Sequence, residues 1–174
     1  MNETNKVTLD IVNRALLLCG DVPLQSLEED TVEAISMTNQ LTSVIDYVLS
    51  DGCFQLSLID MGKSYPLGAN TLPCGTHIVL LRTLGNVDNV YVYRVPIVQL
   101  PPYIVEAVVY RLSYLHAVTR HEERLVALFK SEAEATLRRA RSIDARSNPR
   151  KVIQDNSYLN MLLTNKLRRT DVTY

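Results

Sequence analysis

The chain has 174 residues, 47% apolar and 21% charged, with a formal net charge of −1; this is the composition of a soluble globular protein large enough for one domain with its own core. No apolar run approaches the roughly 18 residues of a membrane span, and the opening MNETNKVTLD lacks the basic stretch and apolar core of a secretion signal, so a cytoplasmic protein is expected. The charge is uneven, with nine Lys/Arg against sixteen Asp/Glu in residues 1–137 but nine against three in 138–174, and an acidic body with a basic end suggests a partner for that end.

Thr8 is placed to cap a first helix. Leu9, Val12, Ala15, Leu16 and Cys19 follow at helical spacing, and Gly20 supplies the stop. GDVPLQS reads as a loop. SLEE at 26–29 has the form of a capping box, in which the Ser26 hydroxyl accepts from the Glu29 amide and the Glu29 carboxylate reaches back. Asp30 is a rival cap. The second helix runs to about Ser50 on a stripe of Ala34, Ile35, Thr38, Leu41, Val44, Ile45, Val48 and Leu49, and Gly52 ends it.

The pattern then changes. CFQLSLI alternates, with Phe54, Leu56 and Leu58 on one side. SYPLGANTLPCG is rich in turn formers. THIVLLRT and NVYVYRV are β-rich runs joined by LGNVDN, which reads as a hairpin. On the last run Tyr91, Tyr93 and Val95 share one face, and Val92 and Arg94 the other. The reading is a small antiparallel β element, around residues 53–100, inserted between two helical pairs.

Pro101 and Pro102 open a third helix, where a missing amide hydrogen is tolerated, and it ends near Thr119. Little of it is polar. At about 100° per residue, Glu106, Ser113, His116 and Arg120 fall in one sector about 80° wide, and most of the remaining circumference is Val, Leu, Ile, Ala or Tyr. Such a helix is either the centre of a bundle core or is covered in part by another chain. After TRHEE a fourth helix runs from about Glu122 to Arg146, roughly 36 Å long. Its stripe is Leu125, Leu128, Phe129, Ala133, Thr136, Leu137, Ala140 and Ile143, while Arg124, Lys130, Glu134, Arg138 and Arg141 face away. Glu134 and Arg138 form a favourable i,i+4 pair, and SNP at 147–149 stops the helix. Beyond it, YLNMLLTNKLRR suits a short amphipathic helix with Leu159, Leu162, Leu163 and Leu167 as its apolar patch, too short to hold alone and fit for folding onto another surface. The fold class is mainly α: an antiparallel bundle of four main helices with a small inserted antiparallel β element and an extended C-terminal arm.

No motif of catalysis or ligand binding emerges. His116 and His121 are five apart, which is not the i,i+4 spacing of two ligands on one helix face. Cys74 and His77 make at most half a metal site. Cys19, Cys53 and Cys74, odd in number and widely spaced, fit buried thiols better than a disulfide framework. GDVPLQS and LGNVDN match neither a Walker loop nor a dinucleotide fingerprint, and there is no GxSxG elbow. Asp46, Asp51 and Asp60 read as cap and surface residues. No catalytic residue, metal or cofactor is therefore expected. RRARSIDARSNPRK at 138–151 places basic groups partly on a helix in a pattern suited to phosphate contact, so a DNA-binding accessory protein is one alternative. An enzyme whose site assembles from distant residues is another.

Four stretches in order carry a resemblance: VNRALLLCGDVPLQSLEED at 12–30, VIDYVLSDGCFQLS at 44–57, YPLGANTLPCG at 65–75, and the long pair that begins LPPYIVEAVVYRLSYLHAVTRHEERL and closes with RRARSIDARSNP, 100–149. In these the chain resembles the head-to-tail adaptor family of tailed bacteriophages, also called tail tubular protein A in short-tailed phages. It departs from many members in having no Trp near Phe54, and in having Gly68 and Asn70 where they have Pro and Asp.

The resemblance implies a non-enzymatic helical bundle with an inserted β element. It implies a ring of twelve copies beneath the portal at the capsid vertex, bridging portal to tail and continuing the DNA channel. The location is then the virion, after synthesis in the host bacterial cytoplasm. The helical adaptor domain is 1–149 and the partner-binding C-terminal arm 150–174. The partners are the portal protein, other copies of the chain, the next tail component (nozzle or tail tube) and, transiently, passing DNA, with no membrane anchor. By position, the portal-binding segment runs from about Arg146 onward. Its candidate contacts are Arg150, Lys151, Val152, Ile153, Tyr158, Leu159, Leu162, Leu163, Arg168 and Arg169, apolar anchors flanked by cations that would pair with acidic portal surface. Contacts between copies are assigned to Tyr103, Tyr110 and Tyr114 on the third helix and to Tyr91 and Tyr93 in the β element, whose segment 77–96 is also the candidate for meeting the next tail component. Arg138, Arg139 and Arg141 are candidates for facing the DNA channel.

Overall fold

The computed structural model describes residues 2–60, 78–84 and 88–147. It is mainly helical, with α1 at Glu3–Cys19, α2 at Val32–Gly52, α3 at Pro102–Thr119 and α4 at Glu123–Ser147. Between α2 and α3 lie three short strands, β1 (Leu58–Asp60), β2 (Ile78–Leu84) and β3 (Asp88–Tyr93), antiparallel in the order β1-β3-β2. Leu58 stands opposite Val92, and both Ile59 and Leu81 stand opposite Tyr91. Cys74, His77 and the YPLGANTLPCG stretch fall outside the described residues, as does everything after Ser147.

Helix α1 starts well before Thr8, after an Asn2 that makes no side-chain cap. Val7 packs on the core, so the apolar face extends further back than a start at Thr8 allows. The Thr8 hydroxyl donates instead to the Thr4 carbonyl at 2.8 Å, inside the helix. The stop at Gly20 is as expected. Gly20 takes φ 83°, and the amides of Gly20 and Asp21 bond back to the carbonyls of Leu17 and Leu16 at 3.1 and 3.0 Å.

The start of α2 is a correction. Thr31 caps it, accepting from the Ala34 amide at 3.2 Å. The SLEE sequence folds as a turn ahead of the helix. Glu29 does reach back to the Ser26 amide, at 2.8 Å, but the Ser26 hydroxyl accepts from Glu28 at 3.2 Å rather than from Glu29. The face that packs also differs: Met37 is buried with Ala34, Leu41, Val44, Ile45, Val48 and Leu49, whereas Ile35 and Thr38 are exposed.

Gly52 does not end α2 through a left-handed conformation. Cys53 takes that role at φ 48°, its amide bonding to the Leu49 carbonyl at 2.9 Å. Gly52 is required for another reason: the fully buried ring of Phe54 lies against its Cα, and any added Cβ would overlap that ring.

Helix α3 is the centre of the bundle, with α1, α2 and α4 each packed on it. Its buried residues Ile104, Ala107, Val108, Val109, Leu112, Ser113, His116 and Ala117 occupy most of its circumference. The sector predicted to be wet is a correction, because Ser113 and His116 face α1 and are buried. Ser113 satisfies its hydroxyl on the Ala15 carbonyl of α1 at 3.2 Å and on its own Val109 carbonyl at 3.0 Å. These contacts run α3 alongside α1 in the same direction, while Gln40 beside Thr119 and Tyr47 beside Arg111 set α2 antiparallel to it. The tight turn to α4 completes an up-down-up-down arrangement. On α4, Phe129, Ala133, Thr136, Leu137 and Ala140 are buried as expected; Leu128 is exposed, and Asp144 is buried in its place at the far end.

The α3–α4 turn closes through the Glu122 amide to Ala117 and the His121 amide to Val118, both 3.1 Å, with exposed His121 at φ 58°. This is the position glycine prefers at a helix end. His121→Gly is expected to stabilise the fold by about 0.5–1 kcal/mol, the relief of the left-handed penalty less the entropy glycine adds to the unfolded chain. Urea denaturation is the check.

Candidate functional site

Two polar constellations on the bundle join residues far apart in sequence. The first lies where α1 and α3 end together. Asp21, just past the Gly20 stop, receives the Arg120 guanidinium on one carboxylate oxygen and has His116 Nε2 at 2.7 Å from the other. Arg120 also meets Glu122 at 3.0 Å. Burial works to raise the Asp21 carboxyl, but the hydrogen bonds and charges of Arg120 and His116 outweigh it and hold the group below its ordinary range. Cys19 sits beside this pair, its thiol 3.6 Å from the Ser113 carbonyl. Burial, and next the negative charge of Asp21, push that thiol up to about 11, so it is protonated near neutral pH and not activated as a nucleophile. The cluster ties two helix ends together, and among the described residues Nδ1 of its buried histidine has no partner.

The second is a groove between α2, α3 and α4, about 290 Å³ in volume. Its floor is apolar, with room left by the small side chains of Ala107 and Ala133 and with Val48 and Leu137 beside them. Its walls carry Tyr47, the guanidinium groups of Arg111, Arg138 and Arg141, and the carboxylates of Asp51 and Glu134. The guanidinium of Arg111 stacks 4.1 Å over the Tyr47 ring and 5.0 Å from the ring of Tyr114. Arg141 donates at 2.6 Å to both the carboxylate and the carbonyl of Asp51, at the end of α2. Among the described residues Arg138 pairs with Glu134 alone, at 3.8 Å. Among the described residues no carboxylate pairs with Arg111.

Of the residues proposed to face DNA, Arg138 and Arg141 share this groove, and Arg139 lies away from it, 4.0 Å from Glu106. Tyr103 is engaged within the chain. Its hydroxyl donates to the Asp144 carboxylate at 3.0 Å and its ring tilts against Phe54 at a centroid distance of 6.3 Å. Burial, and then the bond to Asp144, push the Tyr103 hydroxyl up to about 12. Tyr110 and Tyr114 are half-buried. Tyr91 and Tyr93 lie on β3. Arg146 is exposed on the last turn of α4, and the other portal-binding candidates, from Arg150 to Arg169, lie outside the described residues. Just after β3, Arg94 grips Asp46 of α2 through two bonds, one of them 2.7 Å.

Arg111 was not singled out by sequence, although a signal existed: it stands about 140° from Glu106 around α3, away from that helix's polar sector. Its partner Tyr47 is 64 positions earlier, and no local pattern links them. Among the described residues no group of three or more His, Cys, Asp or Glu is placed to hold a metal ion, and no helix is long and apolar enough to cross a membrane. The chain matches no protein-family model, and a search of curated proteins finds no match.

Proposed function

We propose that the chain is a structural head-to-tail adaptor of a tailed bacteriophage: a helical bundle with an inserted antiparallel β element and an extended C-terminal arm. In this reading it forms a ring below the portal, joins capsid to tail and continues the DNA channel. The observation that supports it best is the antiparallel four-helix bundle itself, whose two helical pairs follow the order of the stretches that resemble that family. The arm, beginning near Arg146 at the basic end of α4, is the part assigned to the portal. Its Tyr and Leu anchors are suited to ordering on contact, and its cations to an acidic surface.

Electron microscopy of the protein mixed with portal particles tests the reading. The full chain is expected to add a ring below the portal. A chain lacking 150–174 is expected to remain helical by circular dichroism yet fail to attach. Normal docking of the shortened chain would overturn the role of the arm, and absence of any ring with the full chain would overturn the adaptor itself. The DNA-binding alternative instead requires an affinity for DNA, in the isolated chain, that falls steeply with salt.

A further inference from the structure

The groove around Arg111 has a counterpart elsewhere on the same molecule. At the start of α2, Val32 is 77% exposed and flanked by the exposed carboxylates of Asp30 and Glu33. Among the described residues neither carboxylate is held in an ion pair. The groove offers the converse, an apolar floor of Ala107, Ala133 and Leu137 between walls of three guanidinium groups and two carboxylates, in which Asp51 holds Arg141, Glu134 stands 3.8 Å from Arg138, and Arg111 has no carboxylate among the described residues. An apolar knob between two anions thus complements an apolar hollow whose cations outnumber its carboxylates by one, the uncompensated charge being Arg111.

The two features cannot meet within one chain. Val32 and Tyr47 lie on the same helix, about 22 Å apart at 1.5 Å per residue. A contact between them therefore joins two copies, and it joins different surfaces. Repeated, such a head-to-tail contact closes into a ring or runs on as a filament. We infer that the start of α2 in one copy, through Asp30, Val32 and Glu33, seats in the Arg111 groove of the next. Val32 covers the alanine floor, one carboxylate pairs with Arg111 and the other with Arg138, whose own partner is distant. This rests on the ring reading above and names the two halves of its subunit contact; of the tyrosines first assigned to it, Tyr114 borders the groove through its ring beside Arg111.

Sedimentation equilibrium of the full chain, from micromolar to millimolar concentration at low salt, tests it. Wild type is expected to self-associate, and less so as salt rises. Arg111→Glu and the double variant Asp30→Arg/Glu33→Arg should each associate at least ten-fold more weakly. An equimolar mixture of the two should recover association, because each supplies the half that the other has lost. Arg111→Gln, which removes the charge at little change in size, reads the same contact should the glutamate variant fold poorly. A wild-type chain that stays monomeric throughout, an Arg111 variant that associates normally, or a mixture that stays apart would each overturn the contact. Portal-bound rings that persist with Arg111→Glu would sink this contact and leave the adaptor reading standing. Recovered pairing in solution without attachment to portal particles would do the reverse.

Discussion

Asp21→Ala is expected to destabilise the fold by about 2–3 kcal/mol, because it strands a buried histidine. His116 is 3% exposed, and among the described residues Asp21 is the partner of its Nε2, while its Nδ1 already has none. Without the carboxylate, both ring nitrogens sit unsatisfied between α1 and α3. Asp21→Asn should lose less, since the amide oxygen still accepts from the ring. The pH dependence follows from the depressed carboxyl. Asp21 contributes its full stabilisation above the ordinary carboxylate value, and the contribution fades as pH falls through the lower value it has in the folded chain. The gap in unfolding free energy between wild type and Asp21→Asn is thus expected to narrow as pH falls below the ordinary carboxylate range. Urea unfolding at a series of pH values measures this directly. A gap that widened on acidification would place the source of the depressed carboxyl elsewhere.

Gly52→Ala is the second substitution expected to do large damage, about 1–3 kcal/mol by overpacking. In most helices this exchange stabilises, by about 1 kcal/mol. Here the sign reverses because the new methyl would occupy the volume of the Phe54 ring, which is wholly buried and leans on Tyr103. A double-mutant cycle separates the effects. Phe54→Leu alone costs packing, but in its presence the alanine should become nearly neutral, a coupling of about 1 kcal/mol or more. Additive losses would show that the ring moves aside without cost.

Local chemistry explains which features the sequence made legible. Pro101 and Pro102 marked the start of α3, and Gly20 the end of α1, because each residue acts through its own backbone. The apolar repeat of α4 from Phe129 to Ala140 was equally plain. Thr31 was harder to choose as a cap, since Ser26, Asp30 and Thr31 all carry a suitable oxygen and only packing selects among them. The burial of Ser113 and His116 was hidden for a similar reason. A polar stripe on an isolated helix reads as solvent-facing, and what reverses it is an aspartate 95 positions away from the histidine. The groove depends on α2, α3 and α4 at once, so Tyr47 and Asp51 carried no sign of it.

The central place of α3 also sets the order in which the protein comes apart. Its amides are shielded by three neighbours and can exchange with solvent only when the bundle opens as a whole, whereas the solvent-facing first turns of α1 fray independently. The α3–α4 hairpin, joined by a short turn, closes the shortest loop of any helix pair in the bundle and has the least entropy to overcome in forming. It is the natural scaffold on which the first two helices dock, so the half of the chain made last on the ribosome organises the half made first.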